Sequence, residues 1–176
     1  MTRAELEHII RAAGAIADVE DLVVIGSQAV LGEFPNAPPE LLVSNEADVF
    51  PFRSPERSDL IDSTIGEGSP FQRSFGYYAH GVGETSAVLP AGWRDRLILV
   101  TGEKTRFVRG WCLEVHDLAI AKYAAGREKD RDFTRALARH GMVRREELDR
   151  RLAATDLAPE IRSLAAGRIT ADFAGR

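Results

Sequence analysis

The chain has 176 residues, enough for one well-packed domain or a domain with a small appendage, but too few for a large modular enzyme. Its 44% hydrophobic and 28% charged residues are ordinary for a globular protein and exclude global disorder and a membrane-buried chain. The net charge of −4 hides an asymmetry, because residues 1–100 carry 7 basic and 15 acidic groups whereas residues 101–176 carry 16 and 12. This division is compatible with metal-binding carboxylates that act on a polyanion, and also with an uneven spread of ordinary surface charge.

The sequence contains a single cysteine, Cys112, which excludes an internal disulfide and a thiolate metal cluster. We expect Cys112 to be a small buried hydrophobic residue of a strand. The N-terminal residues lack the basic start and apolar run of a targeting signal, and no 18 apolar residues follow one another. These features predict a cytoplasmic protein without a membrane-spanning segment.

The first 65 residues alternate between helical and strand patterns. Thr2 and Glu5 have the spacing of a capping box and predict the start of a first helix. The apolar run after Asp21 predicts a strand buried on both faces. The predicted elements that follow are a short helix from Ser27 to Gly32, a strand from Leu41 to Phe50 and a helix from Glu56 to Ile65.

Residues 77–115 are rich in strand patterns and residues 116–176 are rich in helix patterns. The strands are predicted at 77–79, 85–89, 97–101, 106–108 and 112–115, with a hairpin turn at 101–105. The helices are predicted at 117–125, 129–140, 144–153 and 159–167. We therefore predict an α+β fold, in which a mixed β-sheet core flanked by helices spans residues 1–115 and a C-terminal helical tail, residues 116–176, packs on it.

Three local patterns are candidates for chemistry. The first is Gly26-Ser27, where a predicted strand turns into a helix. Glycine lets the backbone approach a bound group closely, and a helix N-terminus offers N–H donors to a phosphate. The alternative is a simple turn in which Ser27 caps the helix.

The second pattern is Glu46-Ala47-Asp48 within a predicted strand. Residues i and i+2 of a strand project from the same face, so both carboxylates can share divalent cations. Val43, Val49 and Phe50 suggest that the segment lies largely in the core. The alternative is an acidic edge strand that faces solvent.

The third pattern is the pair Lys122 and Lys129, followed by Asp130. The chain has 20 arginines and three lysines, so two lysines within eight residues suggest sites that need a compact ammonium group, such as a phosphate contact. The alternative is the solvated start of a helix.

Taken in order, these patterns resemble the minimal nucleotidyltransferase superfamily and, within it, the AbiEii-like branch that includes toxins of bacterial toxin–antitoxin systems. The resemblance covers roughly residues 21–135. It implies that Gly26 and Ser27 contact the nucleotide, that Glu46 and Asp48 bind Mg²⁺ or Mn²⁺, and that Asp48 is catalytic. Two further family motifs, a helix with a central lysine and an Arg-x-Lys-Asp signature, match Ala119–Tyr123 and Arg127–Asp130. The resemblance therefore also implies that Lys122 and Lys129 bind the nucleotide. It implies in addition that Lys122 and Asp130 are catalytic.

The sequence departs from the family pattern at two points. Glu46 stands where the first aspartate of the metal motif is usual, and the third acidic residue of the superfamily has no clear match, with Glu114 as the nearest candidate. Two functions follow as alternatives. One is transfer of a nucleoside monophosphate from an NTP to RNA (tRNA-like) or protein, by a toxin that has an antitoxin partner. The other is a catalytically silent binding or regulatory module.

The tail is rich in arginine, and two interpretations of it stay open. Its arginines could form a basic face for an RNA acceptor, or they could pair with Glu146, Glu147 and Asp149 on the surface of a helical hairpin. A third functional class, a nucleic-acid-binding adaptor without enzyme activity, would rely on the same basic tail.

Overall fold

The computed structural model describes residues 1–174 and has an α+β fold with a five-stranded mixed sheet. This confirms the predicted fold class. The strands are β1 (Asp21–Val24), β2 (Glu46–Pro51), β3 (Tyr78–Gly81), β4 (Ile98–Val100) and β5 (Arg109–Cys112). The helices are α1 (Arg3–Ala17), α2 (Val30–Glu33), α3 (Ser58–Ile65), α4 (Pro70–Phe75), α5 (Val115–Ala125), α6 (Glu128–Arg139), α7 (Arg145–Ala153) and α8 (Pro159–Phe173).

The chain divides into two compact units. Unit 1 comprises residues 1–86 and 97–113 and contains the whole sheet. Unit 2 comprises residues 87–96 and 114–176, and its four long helices are α5 to α8. No helix in residues 1–174 combines the length and the apolar character needed to cross a membrane.

In unit 1 the strand order is β3-β2-β1-β5-β4. β1 pairs antiparallel with β2 and parallel with β5, β2 pairs parallel with β3, and β4 pairs antiparallel with β5. β1 is thus the central strand, and Leu22, Val23 and Val24 are fully buried, as the apolar run predicts. Because β2 and β3 run in parallel, residues at matched positions of both strands face the same side of the sheet.

The first helix packs along the sheet. Thr2 and Glu5 form the predicted capping box, and the buried face of α1 consists of Leu6, Ile9, Ile10, Ala13 and Ala17. α1 contacts β1, β2, β3 and β5, while α3 packs on β2 and β3 and α2 on β4 and β5. These contacts form the hydrophobic core of unit 1.

Several sequence-predicted elements differ from the structure. The strand predicted from Leu41 begins only at Glu46, because residues 39–41 form a 3₁₀ turn that starts at Pro39. The strand predicted at 85–89 is absent from the described residues, since residues 84–86 form a 3₁₀ turn. The hairpin between β4 and β5 is present, but Arg106 and Phe107 lie in its loop with positive φ, so the strand predicted at 106–108 does not form.

A carboxylate at the start of β1 ties the central strand to β5. Arg109 donates to both oxygens of Asp21 at 2.6 and 2.7 Å, and the indole of Trp111 donates to Oδ1 at 2.8 Å. Hydrogen bonding to Arg109 lowers the pKa of Asp21 to about 2. Because the unfolded-state pKa is near 4, the stabilisation is complete above about pH 4 and is lost as the pH falls through 2.

We therefore expect Asp21→Asn to destabilise the protein at pH 7 by about 1 kcal/mol, since Arg109 remains partly exposed to solvent. Thermal melts between pH 7 and pH 3 would show the difference between wild type and variant shrinking below pH 4. Asp62 is exposed, so Asp62→Asn is the control, and its difference in melting temperature from the wild type should not shrink below pH 4. A difference of constant size down to pH 3 would refute the role of the Asp21 charge.

Candidate metal and nucleotide site

Two carboxylates project from the same face of β2. Glu46 is the first residue of the strand and Asp48 the third, while Ala47 and Val49 between and after them are fully buried. The hydroxyl of Ser44 accepts a hydrogen bond from the Glu46 N–H at 3.1 Å and fixes the start of the strand. Both carboxylate side chains keep about 30% of their surface exposed, 31% for Glu46 and 29% for Asp48, so a ligand from solvent can reach them.

The neighbouring strand adds an imidazole to the same face. In the β2–β3 register Asp48 lies opposite His80 and Glu46 lies opposite Tyr78. The Nδ1 atom of His80 lies 3.0 Å from Glu46 Oε1 and 3.2 Å from Asp48 Oδ1. One donor atom from each of Glu46, Asp48 and His80 lies within 4.8 Å of the others, so the three side chains form a candidate metal site.

The phenol of Tyr78 orients Glu46 by donating a hydrogen bond to Oε2 at 3.2 Å. Burial, together with the charge of Glu46, raises the pKa of Tyr78 to about 12, so the phenol keeps its proton at neutral pH. This hydrogen bond is of the kind that commonly orients metal-binding carboxylates.

The electrostatics of the site disfavour two adjacent negative charges. Burial raises the pKa of Asp48, and the neighbouring Glu46 raises it further. Burial would also raise the pKa of Glu46, but hydrogen bonds from Asp48, Tyr78 and His80 outweigh it and lower that pKa. Burial disfavours the imidazolium form of His80, yet the two carboxylates outweigh this effect and raise its pKa. A divalent cation satisfies the same demand for positive charge, so the residues present fit a metal.

The backbone of Gly26 closes one side of this site. Its φ of −77° and ψ of −175° are accessible to any residue, so glycine is needed here because there is no room for a Cβ atom. A Cβ atom at this position would lie 1.9 Å from Asp48 Oδ2. The 3₁₀ turn that follows, Ser27–Ala29, packs against β2. The structure thus brings Gly26 and Ser27 next to the strand that carries the two carboxylates.

The remaining predicted site residues lie in unit 2. Lys122 of α5 forms an ion pair of 3.2 Å with the buried carboxylate of Asp130, which Arg127 contacts at 2.6 Å. Burial would raise the pKa of Asp130, but Arg127 and Lys122 outweigh it and lower the pKa. Lys129 is exposed in the first turn of α6 and is not part of this ion pair.

Glu114, the sequence candidate for a third acidic residue, is the N-cap of α5. Its Oε2 accepts the N–H groups of His116 and Asp117, and its Oε1 lies 2.5 Å from His116 Nδ1. Its carboxylate therefore caps a helix of unit 2.

Sequence reasoning missed His80 and Tyr78. The predicted strand at 77–79 ended one residue short of His80, whereas β3 spans Tyr78–Gly81. The prediction that Val43 lies in the core is wrong, because this residue precedes the strand and is 79% exposed. The buried residues that anchor the metal motif are instead Ala47, Val49 and Phe50.

A protein-family model described as a nucleotidyltransferase of unknown function, DUF6036, matches residues 4–166 of the chain. The chain belongs to the DUF6036 family. Searches among curated proteins and among solved structures gave no significant match.

Membership of DUF6036 confirms the resemblance at the level of the nucleotidyltransferase superfamily. The match spans the sheet and most of the helices of unit 2, so both units belong to the family region. A nucleotidyltransferase needs carboxylates that hold divalent metal beside a triphosphate, and Glu46 and Asp48 are suited to that task.

Proposed function

We propose that the protein is a metal-dependent nucleotidyltransferase that transfers a nucleoside monophosphate from an NTP to a hydroxyl group of an RNA or protein acceptor. The observation that carries the proposal is the pair Glu46 and Asp48 on one face of β2, with the Gly26 backbone against Asp48. Membership of a nucleotidyltransferase family supports the same reaction class.

Glu46 and Asp48 would hold Mg²⁺ or Mn²⁺. The bound metal supplies neutralisation of triphosphate charge and activation of the attacking hydroxyl. Tyr78 keeps Glu46 oriented, and Val49 and Phe50 anchor the strand, so the carboxylates are held in place before substrate arrives. In the reaction the acceptor hydroxyl gives up its proton to water and its oxygen forms a bond to the α-phosphorus, while the bond from the α-phosphorus to the bridging oxygen breaks and pyrophosphate leaves with its electron pair.

Gly26 and Ser27 are proposed to bind the triphosphate. Support comes from the close approach of the Gly26 backbone to Asp48, where a Cβ would lie 1.9 Å from Oδ2, and from the packing of the following turn on β2. Ser27 is half-buried, and its hydroxyl lies 3.4 Å from the amide of Gln28. A small side chain with a hydroxyl at this position suits contact with phosphate oxygens.

Lys122 and Lys129 keep in this proposal the roles that the AbiEii-like resemblance implies, whereas Asp130, which the resemblance makes catalytic, is proposed to position Lys122. Lys122 would stabilise charge on the triphosphate, and Lys129 would contribute a further phosphate contact. The support from unit 2 is the ion pair between Lys122 and the buried Asp130, which fixes the position of the ammonium group. Asp130 would then act by orienting Lys122.

The acceptor and the biological role are proposed from the tail and from the resemblance. Several arginines of α6 and α7 are exposed and could contact RNA, but the structure pairs them with neighbouring acids: Arg135 with Asp132, Arg145 with Asp149, and Arg150 with Glu147. Arg151 is only 16% exposed and contacts Glu147 at 2.7 Å. A tRNA-like acceptor and an antitoxin partner, as in the AbiEii-like toxins, complete the proposal.

Incubation with each of the four α-³²P-labelled NTPs tests the reaction. The reactions contain total tRNA or total protein and either Mg²⁺ or Mn²⁺, and incorporation of label and release of pyrophosphate are measured. We expect label in one acceptor class with one preferred NTP. No label under any condition would overturn the enzyme proposal and favour the catalytically silent binding module.

Substitution of Gly26 tests the proposed geometry of the site. In Gly26→Ala the new Cβ overlaps Asp48 Oδ2, so the carboxylate must move. Because displacement of groups that hold a metal ligand typically costs about 10- to 100-fold in affinity, we expect a loss of that size in Mn²⁺ binding. Titration followed by the EPR signal of free Mn²⁺ measures it.

Gly83→Ala is the matched control, because Gly83 is exposed in the same unit and its added Cβ would meet no atom within 4 Å. This variant should bind metal like the wild type. Unchanged Mn²⁺ affinity in Gly26→Ala would contradict the placement of Asp48 at the metal.

A further inference from the structure

The candidate metal site differs from a site made only of oxygen donors, because its third member, His80, offers a nitrogen atom. We propose that His80 Nδ1 is a metal ligand and that it makes the centre select a first-row transition dication, such as Mn²⁺ or Co²⁺, over Mg²⁺. The inference rests on the proposed function, because it concerns the same metal site, and it adds the choice of metal.

The position of His80 follows from the sheet itself. Asp48 and His80 are register partners in parallel strands, so their side chains leave the sheet side by side. The same pairing puts Tyr78 against Glu46, two residues earlier on each strand. The imidazole is therefore held beside the carboxylates by backbone pairing on a strand with a buried neighbour, Ala79.

The contacts of His80 match those of a ligand. One ring nitrogen, Nδ1, faces Glu46 Oε1 and Asp48 Oδ1 at 3.0 and 3.2 Å, so its lone pair or proton points to where the carboxylates converge. The side chain is 48% exposed, which leaves room for water and phosphate oxygens around a bound ion. Three protein donors with an open side is the usual form of a reactive metal site.

The donor set determines the metal preference. Mg²⁺ binds oxygen ligands and retains several waters, and it gains little from an imidazole. Transition dications bind nitrogen more strongly, in the order Mn²⁺ below Fe²⁺ below Co²⁺. A site with two carboxylate oxygens and one imidazole nitrogen therefore favours a transition-metal dication, whereas His80→Asp would give a site with oxygen donors only.

Mn²⁺ provides a direct spectroscopic test with the full chain and without nucleotide. Electron spin echo envelope modulation of bound Mn²⁺ detects a directly coordinated ¹⁴N nucleus. We expect an imidazole ¹⁴N signal in the wild type, its loss in His80→Asp and in His80→Gln, and its retention in His140→Gln, in which an exposed histidine of unit 2 is replaced.

Competition between Mn²⁺ and Mg²⁺, followed by the EPR signal of free Mn²⁺, measures selectivity. Because loss of even an outer-shell partner typically costs about 10- to 100-fold in metal affinity, we expect the Mn²⁺/Mg²⁺ affinity ratio to fall at least tenfold in His80→Asp. The third carboxylate of His80→Asp could destabilise the metal-free protein. The His80→Gln variant adds no negative charge, so it tests the role of the imidazole even if His80→Asp does not fold.

The outcomes separate this inference from the proposed function. Mn²⁺ bound through Asp48 but without ¹⁴N coupling, or with an unchanged affinity ratio in His80→Asp, would overturn the role of His80 and leave the carboxylate site intact. No binding of Mn²⁺, Co²⁺ or Mg²⁺, or binding that Asp48→Asn does not weaken, would overturn both.

Discussion

Replacing Asp48 with asparagine should reduce nucleotidyl transfer by about 10³-fold or more. Asp48 is the central carboxylate of the site, because Glu46, His80 and the Gly26 backbone all lie against it. A metal ion at a transferring phosphoryl group is worth several kcal/mol, and about 4 kcal/mol corresponds to 10³-fold in rate. The measurement is initial rate of label transfer at saturating NTP.

The same substitution should stabilise the metal-free protein. Burial and the adjacent Glu46 both disfavour the charged form of Asp48, and asparagine has a similar shape without the charge. In EDTA we therefore expect Asp48→Asn to unfold at a higher temperature than wild type, so a loss of activity cannot be attributed to misfolding. Asp59→Asn, an exposed aspartate of unit 1, is the control and should change neither property. Full activity in Asp48→Asn would show that transfer occurs elsewhere or that the activity has another source.

Asp117→Ala should lower the free energy of unfolding by about 3 kcal/mol, the low end of the range for breaking a buried ion pair. Asp117 is fully buried in the first turn of α5 and accepts two hydrogen bonds from Arg96, at 2.8 and 3.1 Å. Arg151 also lies 3.7 Å from its Oδ1. Removal of the carboxylate leaves the guanidinium groups of Arg96 and Arg151 without the acid that both contact, which destabilises the fold. The loss is at the low end of the range because the exposed part of Arg96 can be hydrated.

Urea unfolding at pH 7 measures this loss. Asp117→Asn keeps a hydrogen-bond acceptor and should lose less than Asp117→Ala. Asp149→Ala, which removes an exposed ion pair with Arg145 on α7, is the matched control and should change stability by at most about 0.5 kcal/mol. Equal losses in Asp117→Ala and Asp149→Ala would show that burial of the Arg96 pair contributes nothing.

Local patterns were sufficient to predict most of the fold. The capping box at Thr2, the buried central strand and the helices of residues 115–173 all follow from spacing and apolar periodicity, which act over a few residues. Errors arose where local signals compete. Thr85 to Leu89 has strand-like composition, but the structure places no strand there within its described residues. Residues 106–108 bend in the loop of a hairpin instead of extending it.

The candidate site could be predicted only in part. The spacing of Glu46 and Asp48 identifies a shared face because strand geometry alternates with a period of two. His80 lies 32 residues further along the chain, and only the parallel pairing of β2 with β3 brings it to that face. A single sequence does not specify which strands pair, so the third donor could not be assigned before the sheet order was known. The close approach of Gly26 to Asp48 likewise depends on the antiparallel pairing of β1 with β2.

Because residues 87–96 belong to unit 2, the chain cannot be cut once between the two units, and unit 2 is not complete until the C-terminal helices are made. The segment lies between β3 and β4 in sequence, yet its Ala91 N–H bonds to Ala154 O at 2.9 Å and its Arg96 pairs with Asp117. The chain therefore changes unit three times, near residues 86, 96 and 113. A fragment ending at residue 113 would carry Arg96 without its carboxylate partner and Trp93 without the helices of its own unit. When the ribosome has released residues 1–113, all of unit 1 is present but unit 2 is represented only by residues 87–96. Folding of unit 2 must therefore await synthesis of its helices.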